Sequence, residues 1–131
     1  MKKILLIAAL CFSGTCFSQS QAELNQQAHA AFKKADAELN SIYQKILTNY
    51  KEDKEFIKNL KATQRIWITF RDAELKMKYP DRKEPMHYGS IHPMCVSLYL
   101  EKLTLERIAT LKLWAEGAEE GDGCGGSEHV K

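Results

Sequence analysis

Polar side chains recur at helical spacing along three stretches of this chain, and their types suit paired hydrogen bonding better than bond making. Asp36, Asn40 and Tyr43 form one set, Gln64, Trp67 and Arg71 with Asp72 alongside form a second, and Thr104 and Arg107 form a third. Steps of three and four residues put each set on one face of a helix. If those faces meet, a planar guanidinium such as that of Arg71 can bridge Asp36 or a neighbouring amide with two parallel hydrogen bonds. The residue types leave two readings. The sets can form a ligand-recognition network, or they can fix helix register inside a bundle, because buried polar groups must find partners.

A second cluster lies in the run Met86-His87-Tyr88-Gly89-Ser90-Ile91-His92-Pro93-Met94-Cys95. Its imidazoles, thiol and thioethers are soft ligand types that suit copper(I). Their spacing matches no standard zinc pattern, so neither a metal site nor a cofactor is assigned. The segment reads as a turn-rich loop in which His87 and Tyr88 are placed for contact with a partner. Motifs of catalysis are missing from the sequence: there is no nucleophile elbow, no Gly-rich phosphate loop and no metalloprotease helix motif. Binding, and not enzymatic turnover, is the expectation.

The elements that must position these residues are helices. Ser20-Gln21-Ala22-Glu23 is a capping box. Leu24, Ala28, Ala31, Ala35, Leu39, Ile42, Ile46 and Tyr50 then recur at three/four spacing with no Gly or Pro between them, a continuous stripe on a helix about 45 Å long. Asp53 is suited to cap a second helix, whose stripe reads Phe56, Leu60, Thr63, Trp67, Phe70, Glu74 and Met77. Pro80 ends it, and residues 80–92 carry turn chemistry. Pro93 opens a third helix reaching Trp114, apolar over a wide arc as expected of a helix between two others. The fold class is therefore all-α, a small antiparallel three-helix bundle with a long first helix. Residues 117–131 hold five of the chain's seven glycines and read as a disordered C-terminal tail.

Charge and compartment narrow the function. Lys2 and Lys3, the apolar run from Ile4 to Phe12, and small residues up to Ser18 have the anatomy of a secretory leader over residues 1–18, cut before Gln19. That run is short of the roughly 20 apolar residues a membrane span needs. The expected location is the periplasm or the exterior. The whole chain has 19 Lys and Arg against 17 Asp and Glu, and the leader removes two bases, so the mature chain is balanced at 17 each. Residues 116–131 keep five acids and one base, which leaves 16 bases and 12 acids on the helical domain, residues 19–115. That excess is too small to argue for nucleic acid. Cys95 and Cys124 outlast the leader and sit at opposite ends of the third helix, about 30 Å apart, so a bridge between them is not expected.

Several of these runs resemble one family. Lys34 to Tyr43 is similar to its first characteristic segment, and Leu60 to Glu74 (LKATQRIWITFRDAE) resembles its most specific one. Gly89-Ser90-Ile91 with Pro93-Met94, then Leu103-Thr104 and Glu106-Arg107, follow in the same order. The chain is identified as resembling the LprI-like domain, a family named for a lysozyme inhibitor. The resemblance implies a protein partner, with lysozyme the first expectation. The alternative is a structural or accessory envelope protein that binds another exported protein. Members of the family usually place cysteines where this chain has Gln27, Leu75 and Tyr99, so the stapling that the resemblance implies is missing. At a typical 2–4 kcal/mol per bridge, packing must compensate. Leu75 and Tyr99 are expected to do so by touching between the second and third helices.

Overall fold

In a computed structural model, residues 19–81, 83–84 and 86–130 are described. The leader assigned to residues 1–18 lies outside them. Three helices follow in order: α1 (Gln21–Asn49), α2 (Lys54–Lys78) and α3 (His92–Glu116). The described residues form the all-α three-helix arrangement that the periodicity predicts, with α1 the longest at 29 residues. Successive helices run antiparallel, which leaves α1 and α3 parallel. Asn25 near the start of α1 donates to the Ser90 carbonyl just before α3, and Lys112 near the end of α3 pairs with Glu38.

The starts of α1 and α2 follow from single side chains. Ser20 Oγ accepts from the Glu23 amide at 3.2 Å while Glu23 Oε2 accepts from the Ser20 amide at 2.8 Å, so two otherwise orphaned donors are satisfied. Asp53 Oδ1 accepts from the Phe56 amide at 2.9 Å and caps α2. Helix α3 has no side-chain cap, but Pro93 occupies its first turn, where no amide proton is needed.

The core lies between α1 and α3. Ala28, Ala35, Leu39 and Ile46 from α1 are buried against Leu103, Thr104, Ile108, Leu111 and Ala115 from α3. The small residues let the two backbones approach closely, whereas α2 stands further off. Only Leu60 and Leu75 of α2 are fully buried. The stripe expected on α2 is not the line the fold buries. Phe70 and Met77 are 56% and 75% exposed and join Ile66 on an outer ridge. That stripe repeats every 3.5 residues, and on a straight helix such a line drifts by about 20° per heptad. Over the length of α2 the seam passes instead through Leu60, Gln64, Trp67, Arg71 and Leu75, a line that leaves the expected one after Trp67 on its opposite side.

The glycine-rich end, read from composition as a disordered tail, has a defined course in the structure. The residues after α3 turn back towards Tyr50, at the end of α1. The Tyr50 hydroxyl donates to the Ser127 carbonyl at 2.8 Å and accepts from the His129 amide at 3.0 Å, while the His129 ring stacks on Tyr50. Ala118 donates to the His129 carbonyl at 2.7 Å, closing the segment on itself. Positive φ at Gly117, Gly121 and Gly126 makes these turns, a conformation glycine adopts without strain. Composition suggested disorder because one tyrosine capturing a distant backbone leaves no local pattern.

Candidate functional site

The polar sets predicted from spacing meet in part. Arg107 of α3 reaches across to α2, and its Nε donates to Gln64 Oε1 at 3.0 Å. The Arg107 and Arg71 guanidiniums both lie over the Trp67 ring, 5.9 Å and 5.3 Å from its centroid. A cation over an indole face is attracted by the ring quadrupole, most strongly where water is thin. Trp67, Gln64 and the two arginines therefore form one unit at the α2–α3 seam.

Arg71 does not bridge to Asp36 as its geometry allowed. Its Nη2 and Nε go to Asp72 Oδ1, the adjacent residue, at 2.9 Å and 3.0 Å. The amide bridge belongs to Arg107 instead. Asp36 is half-buried on α1 and has no hydrogen bond or ion pair among the described residues. Asn40 and Tyr43 line a groove between α1 and α2 with Lys61, Gln64, Arg65 and Ile68. Thr104 is wholly buried, but its hydroxyl donates to the Leu100 carbonyl of its own helix at 2.7 Å. It serves the α1–α3 packing and takes no part in the cross-helix unit.

Arg107 carries the most consequential electrostatics. It is half-buried, and desolvation lowers its pKa below the ordinary guanidinium value. Among the described residues no carboxylate pairs with it, and only Nε has a protein acceptor. The Nη atoms are nonetheless not sealed from solvent, since the buried side-chain atom that lacks a partner is His92 Nδ1. Arg107 thus presents an uncompensated positive edge to a cavity of about 420 Å³. Phe56, Leu60, Leu111 and Trp114 form the apolar walls of that cavity, and Ser127 of the returning segment closes one side. Trp114 Nε1 donates to Ser127 Oγ at 3.0 Å and holds that wall in place. Sequence reading missed this cavity, because its walls come from α2, α3 and a segment expected to be disordered.

The loop residues part company. His87 is exposed, with Nε2 3.7 Å from Asp81 Oδ2. Tyr88 is half-buried and built into the loop: its hydroxyl accepts from the Asp81 amide, its ring stacks on His92 at 4.8 Å, and Tyr79 meets it edge-on. Met86 is the exposed tip, 79% accessible with φ +68°. Among the described residues, no three His, Cys, Asp or Glu side chains are grouped to hold a metal ion. Cys95 and Cys124 are free thiols. Leu75 and Tyr99, at positions where cysteines were expected, have the following neighbours. The Tyr99 hydroxyl donates to Glu74 Oε1 at 2.5 Å and its ring lies 4.7 Å from Lys78 Nζ, while Leu75 lines a cleft with Phe32 and Leu100.

A family model described as "Lysozyme inhibitor LprI" matches residues 14–111, which include α1, α2, the Trp67–Arg71–Arg107 unit and most of α3. The chain belongs to the LprI family. An uncharacterized protein of Rhizobium meliloti (strain 1021), R02472, is 35% identical over 111 residues, covering 76% of this chain and 77% of its own length. No solved structure matches. Among the described residues no helix is long and apolar enough to cross a membrane.

Proposed function

We propose that this LprI-family chain is exported and acts by binding another protein, with lysozyme the first partner to test. The observation that carries the reading is the family match, which extends over nearly the whole helical domain. Two surface features support it. Ile66, Phe70 and Met77 leave an apolar ridge on the outer side of α2, the kind of exposed patch that marks protein contacts when it is contiguous. Glu119, Glu120 and Asp122 are exposed on the returning segment and suit the approach of a strongly basic partner such as an animal lysozyme. The near-balanced charge of the whole chain would not supply that steering, whereas a local acidic stretch would.

The test is titration of the purified chain into a peptidoglycan-lysis assay with lysozyme. Saturable inhibition is expected, weakening as salt rises. A Phe70→Ser, Met77→Ser double variant should inhibit at least about tenfold less well, the scale of losing a small apolar anchor. Absence of inhibition by the unaltered chain would overturn the lysozyme reading.

A second reading, an accessory envelope protein that contacts another exported protein, draws on the Met86 tip. A non-glycine residue held at positive φ costs free energy and is retained where surrounding structure imposes it, often at contact loops. Capture of one defined envelope protein that is lost on Met86→Ser would favour it.

A further inference from the structure

We propose that the cavity between the first half of α2, the second half of α3 and the returning C-terminal segment binds a small amphiphilic monoanion, with its carboxylate on Arg107 and its apolar body along Phe56, Leu60, Leu111 and Trp114. The site is independent of the protein-binding reading above.

Three observations converge on this chemistry. The first is the unspent charge. Arg107 uses one of its five donors on Gln64, and the amide oxygen it meets there is neutral. Its Nη edge keeps the fork geometry that matches a carboxylate with two parallel hydrogen bonds. A guanidinium with no carboxylate beside it, already partly stripped of water, gains more from an incoming anion than an exposed one does. The second is size and lining. A volume of about 420 Å³ lies within the range of small-molecule sites, and between the charged ends the walls are mainly aromatic and aliphatic, with Asn59 and Thr63 on the α2 side. The third is rigidity. Gln64 and Trp67 fix the guanidinium on one side, and the Trp114–Ser127 hydrogen bond fixes the opposite wall. A site of this kind loses little freedom on binding.

The acidic residues at the other end set polarity. Asp53 and Glu55 also line the cavity, but Asp53 Oδ1 is engaged by the Phe56 amide and Glu55 faces Lys58 at 3.5 Å. Both sit at the start of α2, Asp53 as its cap and Glu55 in its first turn, and Gln64, which marks the Arg107 end, lies about 14 Å or more further along the helix at 1.5 Å per residue. A ligand with one carboxylate avoids them. A dicarboxylate of similar length would bring its second charge against them.

Octanoate, octan-1-ol and octanedioate separate these features on the unaltered protein. Trp114 lines the cavity and Trp67 touches Arg107, so tryptophan emission reports occupancy, with backbone amide shifts as the second readout. Octanoate should bind saturably, and octan-1-ol and octanedioate should each bind at least about tenfold more weakly, the scale of one charge-assisted hydrogen bond. Arg107→Met should abolish the preference for octanoate over octan-1-ol. Thr63→Trp, which fills the cavity from its α2 wall, should remove binding of both while circular dichroism stays unchanged. Equal affinity for octanoate and octan-1-ol would overturn the assignment. So would a preference that survives in the Arg107 variant, or amide shifts that fall outside the cavity walls.

Discussion

Along α1 and α3 the meeting side chains are mostly small or branched and apolar, with Ile46, Thr104 and Leu111 essentially without solvent contact. Along α2 only Leu60 and Leu75 reach comparable burial, and the remaining attachments are long polar or aromatic side chains: Gln64 to Arg107, Glu74 to Tyr99, and Trp67 beneath two guanidiniums. The two arrangements do different work. A close apolar seam gains from burial and dispersion and tolerates almost no reshaping. A stand-off seam bridged by long side chains leaves clefts, among them the cavity lined by Arg107 and Trp114. The candidate ligand cavity and the exposed apolar ridge both belong to α2 for that reason.

The sharpest test of the difference is truncation on each side. Ile46→Ala should destabilise the chain by about 3–4 kcal/mol, because a dry, close-packed seam cannot collapse around the void. Leu75→Ala should cost nearer about 2 kcal/mol, since α2 has room to settle. Urea denaturation of both variants measures this, and equal losses would remove the distinction. A smaller effect separates the polar attachments. Gln64→Leu removes the acceptor of Arg107 Nε and should cost about 1 kcal/mol, modest because solvent reaches the guanidinium. Hydrogen exchange should then quicken in α2 while α1 and α3 keep their protection.

The last test uses alkaline pH. The Glu74 carboxylate that accepts the Tyr99 hydroxyl raises its pKa above the ordinary 10.0, with burial adding to it. Burial raises Tyr50 and Tyr79 in the same direction. A proton held more tightly in the folded chain stabilises it fully below the unfolded value near 10. As pH rises past that value the unfolded chain ionises first, and stability falls until the folded pKa is passed. Melting temperatures should therefore decline more steeply above pH 10 in the unaltered protein than in Tyr99→Phe. Parallel declines would mean that the α2–α3 hydroxyl contact contributes nothing.

Much of the architecture was legible because its causes are local. Ser20, Glu23, Asp53 and Pro93 act on residues within one turn, and the α1 stripe keeps a true helical period. The α2 seam was not legible because the expected line and the observed one share Leu60 and Trp67 and separate only at Phe70 and Arg71. The polar sets were legible by type and face, and Gln64, Trp67, Arg71 and Arg107 do meet. Which guanidinium takes which partner was not legible, because Arg71 has Asp72 beside it in sequence while Asp36 lies on another helix. The cavity depends on the returning segment, whose docking rests on Tyr50 and Trp114, far from it in sequence.

The hydrogen bond from Asn25 to Ser90 spans 65 residues, and the seam it opens joins the first helix to the last. The molecule's strongest packing is therefore its least local, unlike a bundle stitched together by neighbouring hairpins. Closing so long a loop costs entropy before any burial returns it, and folding rates fall as contacts become more distant in sequence. The apolar face of α1 must wait uncovered until the chain has been made through Glu116. For a helical protein of this length, assembly should be slow and nearly all-or-none.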